Sequence, residues 1–585
     1  MKFMKNALCW LATAGISLPL LSGCGGNGGG TDIPVSPILK STVFGQIEGV
    51  DDQTGTGTYF WKGVPFAKAP VGSLRWKAPV DPDVRSATLS TKNFGNACAQ
   101  YGRIYGPGAN NKYDSTIGTT LNQAVGSEDC LYLNIWRPAS TDVNLPVIVF
   151  FHGGSNVSGY TADPVYDGAK LAKTANAVVV TANFRLGIFG FLNLPQLKTG
   201  TDAATDSGNF AILDSIKALQ FLNKNITNFG GNSENVTIMG ESAGAINVYA
   251  LLTSPLMANA SPKLFHKVVP LSGGLSLASN LPAGTFATMS PASTYLSQGN
   301  SLLQQLVIAD NLATDTMSAQ AYIASKTPAQ NADYLRSKSA SSLFATLLTK
   351  LAPLGLASSG PIPEGVVVPT DAIAAINSGN YAKVPVLAGN TRDEGKLFPA
   401  FLPFVGGSGN ARIVSDAALV SSHMNYNPEA APTVTIDQWI APSYLPVTAP
   451  TTGFTARADR FNSLFFLASR DNILNALKAK QPEVWYYQFN WDKQPAPWND
   501  IYGAAHLFDL PFVFGNFGPS LFANVISTTA NQGGRLALSE AMMQSIGSFA
   551  KNSNPNNAGL GVAWPAWPQK LIFDASLTNK AISVQ

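Results

Sequence analysis

The chain has 585 residues, 45% of them apolar and 12% charged, so it can bury a large core and is not a disordered segment. Its net charge of +3 includes no long basic run, which argues against nucleic acid as a partner. With 53 glycines and 38 prolines, many loops are expected.

In chain order, the first elements read as a targeting signal. Lys2 and Lys5 precede an apolar stretch, 7–21, that is too short to span a bilayer. "LSGC" at 21–24 resembles a bacterial lipobox, in which the cysteine is lipidated and the preceding residues are removed. Residues 1–23 therefore read as a lipoprotein-type signal, Cys24 as the lipidation site, and 24–40 as a flexible glycine-rich tether. Gly25 and Gly26 follow, with no aspartate that would suggest inner-membrane retention. The expected location is the bacterial outer membrane, facing the periplasm or the exterior; an ordinary secretory signal and a secreted product are the alternative. Cys9 and Cys24 belong to this leader, which leaves Cys98 and Cys130. An even pair in an exported chain reads as a disulfide, with two buried thiols as the alternative. No CxxC or HxxxH spacing offers a structural zinc site.

Residues 41–585 read as the folded body. "TVFGQIEG" and "TYFWKGVPFA" predict short N-terminal strands. Six apolar runs follow: "LPVIVFFHGG" (145–154), "NAVVVTANFR" (176–185), "NVTIMG" (235–240), "KVVPLSGG" (267–274), "KVPVLAGN" (383–390) and "EVWYYQFN" (483–490). Runs this apolar predict strands buried on both faces, as in a parallel or mixed sheet. Between the second and third, Phe210, Leu213, Ile216, Leu219 and Leu222 recur at helical spacing, so a strand–helix–strand crossover is expected. The stretches around 275–363 and 401–463 read as helices and loops inserted near strand ends, where they would shape a pocket. The fold class is α/β: a large, mostly parallel mixed sheet flanked by helices, with helical and loop insertions over one end.

"VTIMGESAGAINV" passes from strand to helix through Gly240, Ser242 and Gly244. A Gly-x-Ser-x-Gly turn forces the serine into an unfavourable backbone conformation and projects its oxygen above the sheet. A serine needs a base to become a nucleophile. Of the four histidines, His152 and His266 precede the serine, against the chain order of serine, acid, histidine. His506 lies in a glycine-bounded loop after the sixth strand and is favoured over His423, which lies in an insertion. The acid that orients the imidazole belongs in "GNTRDEGKLF", and spacing alone leaves Asp393 and Glu394 open. "HGGSNVSG" (152–159) closes the first strand with consecutive glycines, whose backbone N–H groups, beside that of Ala243, suit an oxyanion.

These segments together resemble the type-B carboxylesterase and cholinesterase-like family of α/β-hydrolases. The likeness rests on "FGGNSENVTIMGESAG" and "EDCLYLNIWRP", supported by "TANFRLGIFGFL", "TRDEG" and "GAAHLFDLPFVFG", and runs from about residue 43 to the C-terminus. It implies Glu394 rather than Asp393 as the acid. It also implies oxyanion donors at Gly154, Ser155 and Ala243, a Cys98–Cys130 disulfide, and supporting roles beside the triad for Glu241 and Ser272. Two departures stand out: Ser155 replaces the usual glycine or alanine, and Asp214-Ser215 replaces Asp-Gln. The choline-binding aromatic pattern cannot be placed, so a cholinesterase is not expected.

The function implied is a serine carboxylesterase acting on a small ester, with no metal or organic cofactor. Ser242 forms the acyl-enzyme, His506 shuttles the proton and Glu394 holds the imidazolium. A lipase or amidase of the same fold is the runner-up. Non-catalytic adhesion members of the family typically lack the nucleophile or the histidine, and both are present here.

Overall fold

The structure, a computed structural model, describes residues 36–585. The signal, Cys24 and most of the tether lie outside the described residues.

Among the described residues, eleven strands form the main sheet. In chain order they are β1 (Val50–Asp52), β2 (Thr58–Pro65), β3 (Tyr132–Pro138), β4 (Leu145–Phe151), β5 (Val178–Ala182), β6 (Gly231–Glu241), β7 (Lys267–Leu271), β8 (Val386–Thr391), β9 (Val484–Phe489), β10 (Leu571–Ala575) and β11 (Lys580–Val584). Their spatial order is β11-β10-β9-β8-β7-β6-β4-β5-β3-β2-β1. The run from β5 through β4 and β6 to β10 is parallel, while β1, β2, β3 and β11 pair antiparallel at the two sides. All six predicted apolar runs are strands of this parallel part. Every residue of β4, β5 and β7 is buried, as continuous apolar runs covered on both faces require.

The predicted crossover helix is α1 (Phe210–Asn225), and its five periodic apolar residues are all buried. Asp214 and Ser215 of the same helix are buried as well. Asp214 accepts from Arg185 Nε at 2.8 Å and Nη2 at 2.7 Å, so this buried charge is paired in a fork. Ser215, at the second departure from the family pattern, bonds back to the Ala211 carbonyl at 3.1 Å.

β3 and the two C-terminal strands were not evident from periodicity. Asn134 and Arg137 interrupt the apolar pattern of β3. Asn134 bonds Thr181 and Thr161, and Arg137 holds the carbonyls of Phe229, Ser140 and Asp142. β11 is largely exposed and carries no apolar signature. Cys98 and Cys130 form a buried disulfide.

The first insertion forms helices, among them Ala292–Ala309, Thr316–Ala324 and Pro328–Arg336. Leu302, Leu306, Leu335 and Leu343 pack with Ile188 and Phe189 in a small core of their own. The second insertion contributes a 3-10 segment, Pro399–Val405, and the helices Asp416–Met424 and Phe454–Asn462. The loops that follow β4, β6, β7, β8 and β9 all emerge at the carboxyl edge of the parallel strands, where open α/β sheets place their ligands.

Candidate active site

Ser242 sits between β6 and the helix α2 (Ala243–Thr253), at φ 56° and ψ −121°. A non-glycine residue at this φ is strained, and its neighbours show why the turn tolerates little bulk. A Cβ on Gly240 would fall 2.4 Å from the Gly244 carbonyl oxygen, and one on Gly244 would fall 2.1 Å from that of Phe151. The Ser242 N–H bonds the Leu271 carbonyl at 2.8 Å, which ties the turn to the end of β7.

Beside it, His506 is 3% exposed and lies between two carboxylates. Its Nδ1 is 2.5 Å from Glu394 Oε2. Glu394 is fully buried, and its Oε1 accepts from Asn390 Nδ2 and from the Thr391 N–H, each at 2.9 Å. Two donors at the end of β8 thus hold the carboxylate against the imidazole. Nε2 of His506 lies 3.0 Å from Glu241 Oε1. That approach is off the N–H direction, so Glu241 Oε1 keeps no hydrogen-bond partner. Phe398 and Phe466 flank the imidazole, each with its ring centre 5.0 Å away.

The structure therefore joins Glu394 to His506 and brings His506 to Glu241, the residue preceding Ser242. It does not join the Ser242 hydroxyl to His506 by a hydrogen bond. Such contacts are often open without substrate and close in the complex. Burial works to lower the His506 pKa, but Glu241 and Glu394 outweigh it and raise it to about 10. Burial also raises the pKa of Glu241, against the pull of His506.

Asp393 has different company. It is gripped by Arg392 through Nε at 2.9 Å and Nη2 at 2.7 Å and accepts the Ala504 N–H at 2.9 Å, so it pins the loop of His506 without touching the ring. His423 lies in an aromatic box, with Nε2 2.8 Å from the Tyr502 hydroxyl and its ring stacked on Trp439. His152 stacks on Phe184 and is held neutral by burial, which lowers its pKa to about 4. His266 Nδ1 accepts the Val236 N–H at 3.2 Å.

The glycine loop after β4 approaches the serine closely: a Cβ on Gly153 would lie 2.9 Å from Ser242 Cβ. Gly154, Ser155 and Asn156 have φ of 97°, 57° and 57°, a curl that redirects successive N–H groups. Among the described residues, the N–H groups of Gly154, Ser155 and Ala243 have no protein acceptor. Asn156 locks this loop to α2, accepting from Asn247 Nδ2 at 2.9 Å. Ser272, with φ 53°, ends β7 beside the serine, and its hydroxyl has no partner.

A cavity of about 400 Å³ opens over Ser242, Ala243 and Ser272. Seven phenylalanines line it, among them Phe286 from the first insertion and Phe401, Phe404 and Phe461 from the second. Both insertions thus shape the pocket, as expected from their position. No charged side chain lines it. Sequence reasoning missed this phenylalanine wall, the Asn390 brace on Glu394, and Asp509. Asp509 is fully buried, accepts from the Tyr487 hydroxyl at 2.7 Å, and has its pKa pushed up by burial to about 7. A signal for Asp509 was available in "GAAHLFDLPFVFG", an acidic residue three positions after His506 in an otherwise apolar run.

Comparison with known proteins finds likeness across nearly the whole described chain. The model of the carboxylesterase family matches residues 36–580. A para-nitrobenzyl esterase of Bacillus subtilis (strain 168) is 32% identical, over 92% of this chain and 95% of the relative. A fumonisin B1 esterase of Sphingopyxis macrogoltabida is 30% identical, over 93% and 88%. The solved structure of a thermophilic para-nitrobenzyl esterase superposes with a TM-score of 0.68 at 27% identity, covering 93% of this chain and 97% of that one.

Proposed function

Because the chain belongs to the carboxylesterase family and is a carboxylic ester hydrolase of the α/β-hydrolase fold, we propose that Ser242, His506 and Glu394 carry its reaction. The observation that carries this reading is the 2.5 Å contact between His506 Nδ1 and Glu394 Oε2, made beside a serine held at φ 56°.

When an ester fills the cavity, the Ser242 hydroxyl turns to His506 Nε2, gives up its proton and attacks the carbonyl carbon. Charge develops on the carbonyl oxygen, and the N–H groups of Gly154, Ser155 and Ala243 receive it. They are already curled and unpaired, so they need no reorganisation at that moment. Glu394, locked by Asn390 and Thr391, stabilises the imidazolium. His506 then protonates the leaving alcohol, and water repeats the sequence on the acyl-enzyme to release the acid. Glu241 and Ser272 support the triad from beside it.

Ser242→Ala is expected to reduce turnover of a para-nitrophenyl ester by more than about a thousandfold, with circular dichroism unchanged. Residual activity above that level in the folded variant overturns the assignment. Matched rates on a short ester, a long-chain glyceride and an anilide distinguish a carboxylesterase from a lipase or amidase.

The location is also a proposal: export and anchoring through lipidated Cys24, which "LSGC" supports. Cys24→Ser is expected to move the protein from the detergent phase to the aqueous phase in phase partitioning. Unchanged partitioning defeats the anchor.

A further inference from the structure

The phenylalanine-lined cavity has a neighbour of about 470 Å³, and Ser155, Phe398 and Phe401 line both. The shared residues place the two as lobes on either side of a neck beside Ser242. Their chemistry differs. The first lobe has no charged side chain on its wall, and placing an ion there would carry a large desolvation cost. The second is lined by Arg103, Arg412 and Asp416.

The charges of the second lobe do not cancel. Arg103 is exposed, rests against the Tyr101 ring at 5.9 Å, and has no carboxylate partner among the described residues. Arg412 pairs with Asp416 through Nη2 alone, and its Nε has no acceptor. Two guanidinium groups thus face one carboxylate. A guanidinium presents donors in a planar fork that suits a carboxylate, so an incoming anion has partners in Arg103 and Arg412.

We propose that the second lobe accepts an anionic group of the substrate. The ester cleaved at Ser242 then joins an apolar, aromatic-sized part, which fills the phenylalanine lobe, to a part bearing a carboxylate, which enters the arginine lobe. This rests on Ser242 as the nucleophile and adds the substrate's charge pattern to it. Ser155, at φ 57° where the family pattern has glycine or alanine, lines both lobes.

The test uses the folded enzyme and three para-substituted phenyl esters. The neutral reference is para-nitrophenyl pentanoate. The para-nitrophenyl monoester of glutaric acid puts a carboxylate on the acyl side, and para-carboxyphenyl pentanoate puts one on the alcohol side. One of the anionic esters is expected to gain on a neutral ester with the same leaving group or acyl chain, and which one gains identifies the half that enters the arginine lobe. The gain should be in KM and should shrink as sodium chloride is raised from about 0.01 M to about 0.5 M. Arg103→Gln, at an exposed position, is expected to reduce the anionic-to-neutral ratio of kcat/KM roughly tenfold. Arg412→Gln should act in the same direction. The proposal is overturned if neither anionic ester is favoured at low salt, or if Arg103→Gln leaves the ratio unmoved. Loss of turnover on the neutral ester in Ser242→Ala tests the nucleophile separately, so failure of one reading is distinguishable from failure of the other.

Discussion

His506 and His423 are buried alike, 3% and 0% exposed, yet their surroundings drive their protons in opposite directions. His506 stands between Glu394 and Glu241, and the two carboxylates overcome the cost of burying a cation and raise its pKa to about 10. His423 stands among Trp439, Trp498, Tyr502 and Phe522 with no carboxylate, and burial, helped by the charge of Arg412, lowers its pKa to about 3. Burial alone therefore says nothing about whether a histidine can do acid–base work; its partners decide. One ring stands where two carboxylates favour a positive charge. The other is a neutral wall of a structural box.

The largest effect is expected from exchanging these roles by mutation. His506→Ala should reduce kcat by about a thousandfold or more, because on the proposed mechanism the serine loses its base, and should also lower thermal stability, because the buried Glu394 and Glu241 lose their partner. His423→Gln should affect stability alone. It disturbs the 2.8 Å contact with the Tyr502 hydroxyl and the stacking on Trp439, lowering stability by about 1–3 kcal/mol while kcat stays within severalfold. Ester turnover and thermal melts of the two variants measure both halves. A His423 variant that folds normally but loses turnover would break the comparison.

A smaller effect separates the two acids of one loop. Glu394→Gln should lower kcat by about a hundredfold to ten-thousandfold, since a neutral amide cannot stabilise the imidazolium. Asp393→Asn weakens the Arg392 grip and the hold on Ala504, not the imidazole itself, so its kcat should stay within about tenfold. Equal losses in the two variants would mean that loop position, not direct contact, controls the histidine.

How much of this was legible follows the same division between local and distant partners. The elbow, the glycine loop and the acid loop are short stretches that end strands, so their residue types state their geometry. Asp393 and Glu394 were inseparable by spacing because they are neighbours. Resemblance to the family favoured Glu394, and what sets the two apart in space is Arg392 on one and Asn390 on the other. The phenylalanine wall was illegible because Phe286, Phe398 and Phe461 come from separate segments and meet only after the insertions pack. Arg103 and Arg412 escaped notice for the same reason. β3 was missed because Asn134 and Arg137 break its apolar run for the sake of buried hydrogen bonds to remote loops.

The smallest expected effect is a displacement along the pH axis, and its sign differs for the two histidines. On the proposed mechanism turnover needs neutral His506, so the acid limb of kcat/KM should lie above the ordinary histidine value of 6.5. Glu241→Gln removes one of the two carboxylates that raise it, and the limb should move down by roughly one pH unit. Stability follows the same protons. A histidine with a raised pKa contributes stability that is full below its unfolded value and lost as pH rises through the folded value, so His506 contributes less between pH 6.5 and about 10. His423 works in the other window: its lowered pKa contributes stability above pH 6.5 that is lost as pH falls toward about 3. Melting temperature measured across pH should therefore flatten on the alkaline side in Glu241→Gln and on the acid side in His423→Gln. An acid limb that stays in place in Glu241→Gln would show that Glu394 alone sets the proton affinity of His506, and the 3.0 Å approach of Glu241 would then have no bearing on the reaction.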